Sequence, residues 1–188
     1  AVNAVGLTNP GIEWWIEKIY PKLDPRYSVI PSIFAFSEVE CREMIQLLNG
    51  VRGIVAVELN IYCPNTENGS PEFSEKFLRL CQIAKETSIH PLILKISYVH
   101  NVNMIIKSAD GFEALDVMNT VPWGEIFPDQ PSPLHKYGGG GVSGYGIFPL
   151  LKEKLKEINS AFAEAGIKMP IIAGGGICTR FDARLVCP

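Results

Sequence analysis

Apolar residues recur along the chain with two alternating periods. The runs "YSVIPSIFAF", "GIVAVELNI", "PLILKIS", "FEALDVMNT" and "MPIIAGGG" carry the β-rich composition and near-period-two spacing of strands. Between them, "SEVECREMIQLLNG", "SEKFLRLCQIAKE" and "PLLKEKLKEINSAFAEAG" place apolar residues at helical spacing, and a shorter helix is predicted over residues 101–108. The first helix is well punctuated. Ser37 and Glu40 form a capping-box pair, and Asn49-Gly50 suits its C-terminal stop. Strand and helix in alternation predict a parallel sheet covered by helices, and no linker divides the chain, so residues 1–188 read as one domain.

Polar residues interrupt this pattern at particular places. Asn60, Cys63 and Asn65 follow one strand, Lys95 lies in the next, Asn119 and Thr120 follow another, and Gly174 to Gly176 follow the last. The C-terminal strand ends are where α/β folds build their sites. An open doubly wound sheet concentrates its site at one switch point, whereas a (β/α)8 barrel draws on several successive strand ends. The second arrangement fits better, so the expected fold is an α/β (β/α)8 TIM barrel, incomplete at about five of eight strands.

Composition narrows the function classes. With 47% hydrophobic and 20% charged residues the chain is an ordinary globular sequence. Its formal charge of -3 offers no basic footprint for nucleic acid. The five cysteines lack metal-ligand spacing and are odd in number, so neither a metal site nor a disulfide framework is indicated. A reducing cytoplasm is the expected setting. No apolar run approaches a spanning helix, and the opening "AVNAVGLTNPG" lacks the regions of a signal peptide, so no membrane partner is expected.

Alternation in "VAVELN" puts Ala56, Glu58 and Asn60 on one face and Val55, Val57 and Leu59 on the other, which should meet helices. Cys63 then leaves on the following loop. A lone thiol there is an idle side chain, a general base, or a nucleophile activated by histidine. His90, His100 and His135 sit in none of the strand-end motifs, which disfavours the last. In "PLILKIS", Lys95 interrupts an apolar strand and wants an anionic partner, either Glu58 next door or an electron-rich cofactor above it. "IIAGGGICTRFDA" offers backbone N–H groups after a strand, with Thr179 and Asp182 able to cap the next helix, and suits an anion such as phosphate. Gly139, Gly141 and Gly144 match G-x-G-x-x-G, but the preceding "PWGEIFPDQPSPLHKY" has four prolines and is no strand, so a dinucleotide fingerprint is rejected. That segment is long enough to act as a lid.

Taken in order, "NAVGLTNPG", "ELNIYCPN", "LKIS", "VMNT", "GGGGVSG" and "AGGGICT" resemble the class 1 dihydroorotate dehydrogenases over nearly the whole chain. The resemblance implies an FMN-containing barrel that oxidises dihydroorotate to orotate in pyrimidine synthesis. It implies that Cys63 is the base taking the C5 proton, that Asn3, Asn60, Asn65, Asn119 and Thr120 bind substrate, and that Lys95, Ser143, Gly144, Gly175 and Gly176 bind FMN. No metal is implied. It also implies a homodimer or dimer-based assembly, and an iron-sulfur flavoprotein as a conceivable electron-transfer partner.

Two departures from that family stand out. Tyr62 replaces a small residue beside the base, and the chain starts after the first two barrel strands and stops before the last. Competing readings are a flavin barrel acting on another dihydropyrimidine or on tRNA dihydrouridine, and a non-catalytic fragment that keeps the motifs without turnover.

Overall fold

In "VELN" the side chains alternate between full burial and partial exposure, as a strand does when one face lies under helices. The computed structural model describes residues 1–61 and 75–187, the side chain of Lys76 excepted. In chain order the elements are β1 (Val2–Asn3), α1 (Ile12–Lys18), β2 (Ser32–Ile33), α2 (Glu38–Asn49), β3 (Val57–Asn60), α3 (Glu75–Thr87), β4 (Leu92–Ile96) and α4 (Val102–Ala109). Then follow β5 (Ala114–Val117), β6 (Val121–Pro122), α5 (Trp123–Ile126), β7 (Gly141–Val142), α6 (Phe148–Ala165), β8 (Ile171–Ala173) and α7 (Arg180–Val186).

The five expected strands form one parallel sheet in the order β2-β3-β4-β5-β8. Sequential strands lie side by side, as in a barrel wall, rather than reversing direction about a central switch point. The face under the helices is apolar: Val57, Leu59, Leu94, Ile96, Leu115 and Val117 are buried with Ile45 and Leu48 of α2, Ile105 of α4 and Leu151 and Ile158 of α6. Burying a side chain of this size contributes about 1.5–3 kcal/mol. That layer therefore holds the sheet against its helices.

Local signals behave with small shifts. Ser37 Oγ accepts from Glu40 N–H at 3.1 Å, but the Glu40 carboxylate reaches back to Phe36 N–H at 2.7 Å, one residue beyond the usual box. Asn101 caps α4 by accepting from Asn103 N–H at 2.9 Å. The strand-like run around Pro31 is the one that shrinks most. Only Ser32 and Ile33 pair with β3, with an isolated bridge from Val29 to Ile54 ahead of them.

A second, three-stranded antiparallel sheet, β1-β7-β6, was not legible in the sequence. It pairs Val2 with Val142 and Asn3 with Gly141, and on the other side Val121 with Val142 and Pro122 with Gly141. Pro122 therefore does lie in a strand, at an edge, where its missing N–H costs no ladder bond. The proline-rich connection read as a lid is folded on itself. Trp123 stacks on Phe127 with ring centroids 4.4 Å apart, Trp123 Nε1–H donates to Gln130 O at 2.9 Å, and Ser132 Oγ donates to Gly139 O.

Candidate active site

The inner face of the parallel sheet is polar where the outer face is not. Register aligns Ser32 with Glu58, Asn60 with Lys95, and Lys95 with Asp116, so all five side chains share that face. Lys95 Nζ lies 2.7 Å from Asp116 Oδ2 and 3.3 Å from Glu58 Oε1. Ser32 Oγ donates to Glu58 Oε1 at 2.5 Å. The expected Glu58 ion pair is present, and Asp116 is a closer partner that the sequence reading missed.

Charge is compressed here. Burial opposes the charge on Lys95, but the hydrogen bond and charge of Asp116, with those of Glu58, outweigh it and hold the ammonium above its ordinary range. Burial and a hydrogen bond to Asp116 push the Glu58 carboxyl up, while Ser32 and Lys95 pull the other way. One cation thus faces two carboxylates on this face.

Loop backbones then tie the strand ends together. Met118 N–H donates to Gly174 O at 2.8 Å, and Asn119 N–H donates to Ile96 O at 2.9 Å. Asn119 is thereby set over the end of β4, and its Nδ2 donates to Asn60 Oδ1 at 3.1 Å. Its own Oδ1 accepts from Thr120 N–H at 2.8 Å. Two amides from strands not adjacent in the sheet are joined side chain to side chain. Ser97 Oγ, just past the end of β4, is buried without a hydrogen-bond partner among the described residues. A buried hydroxyl left this way has a donor and acceptors to offer a ligand.

The small sheet gathers the remaining positions. β6 begins immediately after Thr120, and β7 leads straight into Ser143 and Gly144. Ser143 N–H donates to Ala1 O at 2.8 Å, and Ala1 N donates back to Ser143 O at the same distance. A Cβ at Gly140 would sit 2.6 Å from Asn3 O, so glycine is needed where β1 crosses. A Cβ at Gly176 would lie 2.7 Å from Gly144 O and 2.9 Å from Phe148 N. The two glycine motifs therefore touch through bare backbone.

Asp182 changes the anion reading. Its Oδ2 accepts from Cys178 N–H at 3.1 Å, Thr179 N–H at 2.8 Å and Thr179 Oγ1 at 2.9 Å, and its own N–H donates to Thr179 Oγ1. The capping box expected of this pair is complete. The protein's own carboxylate takes the Cys178 and Thr179 N–H groups just ahead of α7, so an incoming anion would meet the loop residues Gly174 to Gly176.

Cys63 and Asn65 lie outside the described residues, as does Tyr62. Among the described cysteines, burial pushes Cys41 up to about 11 and Cys81 further still, which makes both poor bases. A cleft of about 930 Å³ opens beside β2, lined by Ile12, Trp15, Phe34, Phe36 and Met44 among others. It meets the polar inner face at Ser32 and Asn60. Among the described residues no cluster of His, Cys, Asp or Glu could hold a metal ion, and no helix is long and apolar enough to cross a membrane.

The sequence matches the family model for dihydroorotate dehydrogenase over residues 1–185. The chain belongs to the dihydroorotate dehydrogenase family. The parallel sheet is accordingly five strands of the family's TIM barrel. A protein of Maridesulfovibrio salexigens named dihydroorotate dehydrogenase B (NAD(+)), catalytic subunit, is 30% identical over 190 residues, covering 97% of this chain and 61% of its own length. A Desulforudis audaxviator protein of the same name is 33% identical over 190 residues, covering 97% of this chain and 60% of its own. Relatives from Solibacter usitatus and Aquifex aeolicus, named for the fumarate-linked type, are 31% and 32% identical. The chain spans about 60% of the length of these relatives.

Proposed function

We propose that this chain forms the substrate and flavin face of a dihydroorotate dehydrogenase that oxidises dihydroorotate to orotate in pyrimidine biosynthesis. The observation that carries the reading is the Asn119–Asn60 amide pair at 3.1 Å, over the end of the strand that holds Lys95. A pyrimidine ring presents alternating amide donors and acceptors, and asparagine side chains answer both. Asn3 on β1 and Thr120 just ahead of β6 extend that edge in this proposal, as does Asn65.

The donor set fits FMN. Lys95 supplies a cation on the inner face, Ser143 and Gly144 supply backbone near the small sheet, and Gly175 with Gly176 supply a loop for a phosphate. FMN, when bound, would supply the hydride acceptor. The chain's own residues have three tasks. The asparagines hold the dihydropyrimidine in one orientation, Lys95 favours negative charge beside it, and Cys63 takes the proton that must leave with the hydride. A dimer-based assembly in the cytoplasm, and an iron-sulfur flavoprotein as electron-transfer subunit, belong to the same proposal. Relatives named for NAD and for fumarate stand at similar identity, so identity alone selects neither acceptor.

The test is anaerobic. FMN is titrated into the chain by fluorescence quenching, dihydroorotate is added, and loss of the oxidised flavin absorbance is followed. Bleaching that Cys63→Ser slows sharply, with FMN affinity unchanged, is the expected result. Bound FMN that dihydroorotate never bleaches would move the reading to another dihydropyrimidine. Failure to bind FMN at all would leave a non-catalytic chain.

A further inference from the structure

The inner face carries a charged residue that the proposed chemistry does not use. Asp116 stands in register with Lys95 on the adjacent strand, and the residue is only 8% exposed. Its Oδ2 takes the Lys95 ammonium at 2.7 Å, closer than Glu58 at 3.3 Å. An ammonium has three donors. With two directed at carboxylates, one is left for a ligand, and its direction is fixed by the other two.

The same carboxylates cancel charge. A lysine standing alone beside a flavin would strongly favour the anionic reduced ring. Here the cation is matched by Asp116, and Glu58 adds further negative charge on the same face, so the field offered to a ligand is much reduced. Ser32, which donates to Glu58 Oε1, holds that second carboxylate in place.

We propose that Asp116 is a positioning residue for Lys95, aiming its ammonium and lowering the electron affinity of the flavin bound beside it. The inference rests on the flavin reading above. It adds the residue that tunes the site, because removing the Asp116 charge while keeping its shape unmasks the lysine.

The test compares this chain with Asp116→Asn, Asp116→Glu and Glu58→Gln. With FMN bound, the midpoint potential is read by equilibration with a dye of known potential, and oxidised FMN affinity by fluorescence. Asp116→Asn is expected to raise the affinity for reduced over oxidised flavin about tenfold, a rise of about 30 mV for a two-electron couple. Glu58→Gln is expected to move it the same way by less, and Asp116→Glu to restore the original value. In the flavin-free chain, exchange of the Lys95 ammonium protons, read by NMR, is expected to quicken several-fold in Asp116→Asn.

Bound FMN with an unchanged potential in both Asp116→Asn and Glu58→Gln overturns the tuning. Unchanged ammonium exchange overturns the positioning. A chain that shows faster exchange in Asp116→Asn yet binds no FMN overturns the flavin reading while the Asp116–Lys95 contact stands. Should Asp116→Asn fail to fold, Asp116→Ser, which also removes the charge, is read by the same potential and exchange measurements, with the same outcomes deciding.

Discussion

The two faces of the parallel sheet are built from the same strands and obey different chemistry. On the outer face Leu59, Leu94, Ile96, Leu115 and Val117 are almost wholly buried under helices. On the inner face Glu58, Asn60, Lys95 and Asp116 trade hydrogen bonds and charge, and Ile172 in the same layer is 45% exposed. The outer face stabilises the fold without needing particular donors. The inner face spends little area on packing and holds its side chains by pairing them, which is what a site needs and a core does not.

The sharpest way to break the comparison is one substitution on each face of a single strand. Leu94→Ala removes a fully buried side chain and is expected to lower stability by about 2–5 kcal/mol in urea unfolding. Its neighbour Lys95 points the other way. Lys95→Ala is expected to destabilise less than Leu94→Ala in the same measurement, and a loss equal to the leucine's would show that the two faces are not separable.

A second contrast concerns the helix layer, where polar groups are buried for structure. Lys154, only 6% exposed, donates to His100 O at 3.0 Å and to Glu157 at 2.6 Å. Burial first, and the charge of Lys154 second, lower the pKa of His100 from 6.5 to about 4. The unfolded chain therefore takes up a proton near pH 6.5 that the folded chain refuses until about 4, so stability falls as the pH drops through that window. The loss should approach about 3 kcal/mol by pH 4, and His100→Gln should flatten the slope relative to the parent in urea titrations at several pH values.

Smaller effects sharpen the picture at the site. For Lys95→Ala, FMN affinity is expected to fall about tenfold, or about 1.4 kcal/mol, by fluorescence titration. Native affinity together with a native reduction potential would leave Lys95 as an ion-pair partner alone. Thr179→Ala removes the cap of α7 and is expected to cost about 1 kcal/mol, with little change in flavin binding, since the Thr179 hydroxyl is engaged by Asp182 rather than by a ligand.

What the sequence revealed follows from periodicity. Four or more alternating residues identify a strand face, which is why Glu58, Asn60 and Lys95 could be placed together before any coordinates. Asp116 carries the same signal, a charge at an alternate position of an apolar strand, though the Asn-Thr pair that ends "FEALDVMNT" is the more conspicuous polar feature. Aligning its alternation with that of "PLILKIS" would have found it. The small sheet gave no such signal. Strands of two residues, one of them containing Pro122 and another Gly141, fall below any period, and their pairing joins segments far apart in sequence.

That long-range pairing sets an order of events. Ala1 is tied to Ser143 by a bond spanning 142 positions, so the small sheet cannot close until the residues between them have been synthesised. At ribosomal speeds of about 5–20 residues per second, β1 waits roughly 7–30 s for its partner. The apolar layer between β2 and β5 can assemble during that interval from segments already made. Asn3 and Ser143 therefore come together only after four of the five strands of the parallel sheet have been made.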